Sequence, residues 1–152
     1  MTCEQIGRIE NGAYFLPLRV YYEDTDAGGV VFYANYFKFA ERARTEMLRH
    51  LGIENSTFQD CHGLAFVVRH IDADFIAPAR LDDVLEVSLK LTKVGGASLE
   101  CEQAVRRNGE DLVKMTVRLG CMKLDGGAGR LPADIRTLLQ TFETTSEDKD
   151  RG

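Results

Sequence analysis

Two periodicities divide the chain. Residues 84–91, VLEVSLKL, alternate: Leu85, Val87, Leu89 and Leu91 fall on one face, and Glu86, Ser88 and Lys90 on the other. The same two-residue period sets Leu99, Cys101 and Val105 opposite Glu100, Glu102 and Arg106 in 98–107. In 112–122 it sets Val113, Met115, Val117, Leu119 and Cys121 opposite Lys114, Thr116 and Arg118. Gly95-Gly96 and Asn108-Gly109 separate these segments, the second a strong hairpin signal. Residues 14–22, YFLPLRVYY, predict a further strand with Pro17 near its edge. Residues 64–76, LAFVVRHIDADFI, are β-rich but alternate poorly.

The period changes over 32–51, FYANYFKFAERARTEMLRHL. Tyr33, Phe37, Ala40, Arg44, Met47, Leu48 and Leu51 recur at three- and four-residue steps, which predicts a helix that Gly52 stops. Phe32, Tyr36, Phe39 and Ala43 widen its apolar side, so its first half is expected to be buried on most sides. Residues 132–142 open on Pro132 and suit a short C-terminal helix. The start, 1–12, reads as a loose arm, 125–129 as a flexible loop and 143–152 as a disordered tail. Short turns force antiparallel neighbours. The expected fold is α+β: one antiparallel sheet of about five strands curled around one long central helix, a single domain over 1–142.

Composition narrows the function. The chain has 152 residues, enough for a domain with a real core, and a formal net charge of −5, so no global basic field draws it to nucleic acid. An anionic ligand has to be held by local groups. No apolar run has the length of a membrane span, and MTCEQIGRIENG lacks an apolar signal core, which predicts a cytoplasmic protein. The cysteines at 3, 61, 101 and 121 form no CxxC and no zinc spacing, so they read as buried or incidental thiols. None of His50, His62 and His70 pairs at metal spacing, and no metal or cofactor is expected. There is no GxSxG, GxGxxG or GxxxxGK[ST].

The remaining chemistry lies in YEDTDAGGVVFYANY, residues 22–36. As a calcium loop it fails, since Gly28 and Asn35 fall where an oxygen ligand and a bidentate Glu are needed. It can be a turn that caps the helix, with Glu23 and Asp24 as turn residues. It also has the parts of a hydrolytic site. An acid beside an apolar helix start can activate water or attack directly, and partial burial against Phe32 and Tyr33 would tune it. Gly28 and Gly29 admit a carbonyl to the backbone, with Val30 and Phe32 beside them, and free helix-start amides can hold an oxyanion.

Residues 20–48, VYYEDTDAGGVVFYANYFKFAERARTEML, resemble the opening of the hotdog-fold acyl-CoA thioesterases, and 66–87, FVVRHIDADFIAPARLDDVLEV, resemble the next block of that family. The likeness spans about residues 16–122 and is greatest to the Tol-Pal-associated thioesterases, with the 4-hydroxybenzoyl-CoA thioesterases as near relatives. It implies that Asp26, just before Ala-Gly, is the catalytic aspartate and that the Tyr33 backbone amide polarises the thioester carbonyl. It implies basic residues for the coenzyme A phosphates, here Lys93, Arg106 or Arg107. It implies a homodimer joined sheet edge to sheet edge, often doubled to a tetramer. Glu41 and Arg44 can form a helix-surface pair or line the site, the surface reading being preferred. A module that binds acyl-CoA or acyl-carrier protein without hydrolysis is the alternative function, and a hydratase or dehydratase ranks last, for want of a histidine near the motif.

Overall fold

The computed structural model describes residues 5–151, and side chains as far as Glu143. The elements are β1 (Arg8–Glu10), β2 (Ala13–Arg19), a 3-10 turn (Tyr22–Asp24), α1 (Asn35–His50), α2 (Asn55–His62), β3 (Leu64–Phe75), β4 (Val84–Val94), β5 (Ser98–Arg107), β6 (Glu110–Lys123) and α3 (Ala133–Arg151). The strands form one sheet in the order β1-β2-β4-β5-β6-β3. Every adjacent pair is antiparallel. The β5–β6 hairpin turns on Asn108-Gly109, both with positive φ (54° and 81°) as a tight two-residue turn requires.

The alternating segments behave as their pattern predicts. Leu85, Val87, Leu89 and Leu91 are at most 1% exposed, and Val113, Met115, Val117, Leu119 and Cys121 are buried on the same apolar face. Against that face lies α1, with Tyr36, Phe39, Ala40, Ala43, Arg44, Met47 and Leu48 buried. Ala40 and Ala43 are fully buried; such small side chains let a helix approach a sheet closely. Leu139 and Phe142 of α3 join the same cluster.

Several expectations change. The sheet has six strands, because part of the supposed loose arm is β1, pairing Arg8 with Phe15 and Glu10 with Ala13. Its residues are all exposed, so no alternation marked it. The helix α2 was not anticipated: only Phe58 among its residues is buried, stacked on Phe66 at 4.7 Å, and Gly63 ends it in the left-handed conformation. The C-terminal helix is longer than the expected 132–142: the backbone of α3 runs on to Arg151, with no Gly or Pro to interrupt it, while Gly152 lies outside the described residues.

The entry to α1 differs most. Regular helix starts at Asn35, and Phe32 and Tyr33 stand before it, 45% and 60% exposed. The expected burial on most sides is therefore absent at that end. Nor do Glu41 and Arg44 form a surface pair. Arg44 is 8% exposed and donates to Gln103 Oε1 (2.9 Å), while Gln103 Nε2 donates to the Ala40 carbonyl (3.0 Å). Burial lowers the Arg44 pKa from its ordinary value, against the opposing influence of Cys101 and Glu41. Cys101 is buried and its thiol is pushed up to about 12 by burial; Cys121 is buried, Cys61 exposed, and Cys3 lies outside the described residues.

Candidate active site

The stretch between the 3-10 turn and α1 folds back on itself. Thr25 and Val31 form an antiparallel bridge, and the Asp26 amide donates to the Val30 carbonyl (2.9 Å). The tip is Ala27-Gly28-Gly29. Gly29 has φ +79°, which a side chain would strain, and its amide donates to the Asp26 carbonyl (3.1 Å). At this tip the Asp26 carboxylate accepts the Gly28 amide through Oδ1 (2.9 Å). A Cβ on Gly28 would stand 3.3 Å from that oxygen. One carboxylate oxygen is thus held by the loop while the group faces outward. Asp26 is exposed, so the expected partial burial against Phe32 and Tyr33 is not found.

Asp24 has a different task. Its carboxylate accepts the Tyr21 amide (2.9 Å), and its carbonyl accepts both the Phe32 amide (3.0 Å) and Asn35 Nδ2 (2.9 Å). These bonds set the angle at which the loop enters α1. The Asn35 amide then closes a turn on the Phe32 carbonyl (2.8 Å). Tyr33 and Ala34 are the central residues of that turn, and among the described residues their amides donate to no acceptor. Free amides at a helix start carry partial positive charge and suit a developing oxyanion.

Around this entry lies an aromatic patch. The Phe75 ring, at the end of β3, sits 6.3 Å from Tyr33, 5.9 Å from Tyr36 and 6.2 Å from Phe37, while Phe32 and Tyr33 are 4.8 Å apart. Phe75 is 50% and Ile76 57% exposed. An apolar patch of this kind marks a surface that binds something.

The loop leans on the segment before β4. The Val31 amide donates to the Ala79 carbonyl (2.8 Å), the Leu81 amide to the Gly29 carbonyl (3.3 Å), and Val30 bridges Arg80. Tyr36 Oη accepts the Ala79 amide (2.9 Å). Burial raises the Tyr36 pKa, and that amide offsets part of the rise. Asp83 Oδ2 accepts the Arg80 amide (2.8 Å) and the Arg107 guanidinium (2.7 Å). Burial alone would raise the Asp83 carboxyl, but these donors outweigh it and hold it below its ordinary value.

One loop therefore gathers Asp26, Gly28, Gly29, Val30, Phe32 and Tyr33. The expected phosphate-binding residues are not gathered with it. Lys93 lies at the far end of β4, about 30 Å along the strand from Val84 at the usual rise per residue. Arg106 is bound to Asp111 (2.6 Å) and Arg107 to Asp83. The sequence reading passed over Asn35, Phe75, Ala79, Arg80 and Asp83, although Ala77-Pro78-Ala79-Arg80 signals a turn just before a strand. Among the described residues, no cluster of three or more His, Cys, Asp or Glu is placed to hold a metal ion.

An antiparallel sheet packed on a long helix is the hotdog arrangement, and the acid-bearing loop and unbonded amides lie together at the entry of that helix. The sequence profile of the thioesterase superfamily matches residues 28–114. The acyl-CoA thioesterase YbgC of Haemophilus influenzae is 47% identical over 116 residues, 76% of this chain and 85% of its own length. The acyl-CoA thioester hydrolase YbgC of Escherichia coli O6:H1 is 52% identical over 89 residues, 59% of this chain and 66% of its own. A crystal structure of a probable thioesterase from Bartonella henselae superposes with a TM-score of 0.75 at 34% identity, covering 79% of this chain and 99% of that one. The chain belongs to the thioesterase superfamily.

Proposed function

We propose that the protein hydrolyses an acyl-CoA thioester to a free carboxylic acid and coenzyme A, with Asp26 as the assisting carboxylate. One observation carries the mechanism: the Asp26 loop runs directly into two unbonded amides at the start of α1. The thioester carbonyl accepts from the Tyr33 amide, with the Ala34 amide beside it. Asp26 takes a proton from water as the water oxygen adds to the carbonyl carbon. The tetrahedral oxyanion then collapses, the C–S bond breaks, and the thiolate leaves to be protonated. In the nucleophilic variant the carboxylate oxygen adds to the carbonyl carbon, the C–S bond breaks to expel the thiolate, which is protonated, and water then cleaves the mixed anhydride to the free acid and the regenerated Asp26 carboxylate. Gly28, Gly29, Val30 and Phe32 bound the approach of the acyl group. The relatives named acyl-CoA thioesterases support this substrate class.

The protomer works as a homodimer in this reading. β3 is a twelve-residue edge strand with no neighbour beyond it among the described residues, and an edge of that length invites pairing. A second copy would also cover the exposed aromatic patch and shield Asp26; a dimer of dimers and an acyl-carrier protein as acyl donor are compatible with it. Among the described residues no helix is long and apolar enough to cross a membrane, and we place the enzyme in the cytoplasm. For the coenzyme A phosphates, Arg80 replaces Lys93 as the favoured contact: it is exposed, its backbone bridges Val30, and among the described residues its side chain makes no hydrogen bond or ion pair, Asp83 feeling only its charge.

Thiol release from a panel of short aliphatic, long aliphatic and aromatic acyl-CoAs tests the activity. Turnover of at least one class is expected; saturable binding without thiol release across the panel would make the protein a binding module. Arg80→Ala is expected to raise KM for acyl-CoA by about tenfold, the loss of one charge-assisted contact, while sparing acyl-pantetheine, which lacks those phosphates. Equal effects on both would remove Arg80 from the phosphate site.

A further inference from the structure

The Asp26 loop has little packing of its own. Its tip residues are exposed or half-buried, and its backbone bonds run to Ala79, Arg80 and Leu81. That strap is itself irregular chain, held from three sides. Just past β2, Val20 exchanges backbone bonds with Asp82 and Asp83 (3.0 and 2.9 Å). From α1, Tyr36 holds the Ala79 amide. From β5, the Arg107 guanidinium reaches both ends of the strap, donating to the Pro78 carbonyl (3.4 Å) and to Asp83 Oδ2 (2.7 Å). Asp83 closes the strap's own turn through the Arg80 amide, and Asp82 within that turn has φ +71°.

We propose that Asp83 and Arg107 are positioning residues, which fix the strap and through it the placement of Asp26 against the free amides of α1. The inference rests on Asp26 being the assisting carboxylate. The chain of contacts is continuous: Arg107 to Asp83, Asp83 to the Arg80 amide, Arg80 to Val30 by the backbone bridge, and Val30 to the Asp26 amide. No link in it belongs to the apolar core, so loosening it re-aims the loop without dissolving the fold. It also gives Arg107 a use that leaves it unavailable for a phosphate. A displacement of about 1 Å at a reacting group costs on the order of 100-fold in rate, which is the scale at which such a clamp acts.

Three variants test the clamp. Asp83→Ala removes both the turn closure and the ion pair, Asp83→Asn keeps an acceptor for the Arg80 amide, and Arg107→Gln removes only the cation. The expected order is a kcat loss of about 100-fold for D83A and about tenfold for D83N and R107Q, with KM for acyl-CoA within about threefold throughout. Backbone hydrogen exchange is expected to quicken at Val31, Arg80 and Leu81 while the amides of α1 and β4–β6 stay protected. A D83A kcat within about twofold of the parent overturns the proposal, as does a raised KM at unchanged kcat or a uniform rise in exchange. Should D83A not fold, the same criteria apply to D83N and R107Q. Asp26→Asn separates the two readings. If it abolishes turnover while D83A keeps kcat within about twofold of the parent, only the clamp fails. If it spares turnover, the Asp26 mechanism fails, and the positioning role fails with it even where exchange at the strap quickens.

Discussion

Along the body of α1, Phe39, Ala43, Met47 and Leu48 are at most 4% exposed, packed on the sheet. At its entry, Phe32 and Tyr33 are equally aromatic and apolar yet 45% and 60% exposed. The polar groups differ in the same way. Deep in the helix, Gln103 bonds both Arg44 and the Ala40 carbonyl. At the entry, the Tyr33 and Ala34 amides have no acceptor among the described residues, and Asp26 keeps an outward-facing carboxylate oxygen. Satisfied polar groups stabilise a fold; unsatisfied ones held in place are what a reaction can use. One end of α1 satisfies its polar groups within the fold, and the other leaves them available.

Substitutions at the two ends should separate stability from activity. Phe39→Ala leaves a cavity against the sheet and should cost about 3–5 kcal/mol in denaturant melts, the largest effect on folding. At the entry, Tyr33→Pro deletes a single amide at a turn position that proline favours. Its activity should fall about 10²- to 10³-fold with the melt nearly unchanged, the usual cost of one oxyanion donor. Tyr33→Phe keeps the amide, so similar losses in both would place the effect in the ring or hydroxyl. Gln103→Leu strands the Arg44 guanidinium, takes the second donor from the Ala40 carbonyl and should cost about 1–3 kcal/mol; a neutral result would show that Arg44 finds another acceptor.

The smallest effect concerns acid. The folded pKa of Asp83 lies below its ordinary value of 3.8, so its pairing contributes stability above that pH, which is lost as pH falls through the folded pKa. The pair is partly exposed, and its share should be under about 1 kcal/mol. Melts of D83N and the parent should differ at neutral pH and converge below about pH 4. A gap that persists in acid would assign the loss to the altered turn rather than to the charge.

Much of this division was legible in the residues. Strict alternation in 84–91, 98–107 and 112–122 placed the sheet, because one buried face leaves a period of two. The hairpin at Asn108-Gly109 followed from turn chemistry. The Asp-Ala-Gly-Gly motif beside an apolar helix pointed to the candidate site. Three things escaped for physical reasons. β1 has no buried face, and α2 has one buried residue, so neither leaves a period. The phase of α1 was misread because aromatics at 32, 33 and 37 fit an apolar stripe equally well whether they face a core or a ligand. The dependence of the Asp26 loop on Asp83 and Arg107 spans residues far apart in sequence, and no local pattern announces such a contact. The same holds for Gln103, a polar residue on an inward face whose partner sits 59 positions away.

The central claim is that the exposed acid at the entry of α1 assists thioester cleavage. Its most direct test is single-turnover thiol release by Asp26→Asn, in a protein whose melt matches the parent and on the best acyl-CoA of the panel. Asn keeps the shape and can still accept the Gly28 amide, but it can neither take a proton from water nor attack as a carboxylate. A fall in rate of at least about 100-fold with acyl-CoA binding retained is the expected result. Release at the parental rate would contradict it.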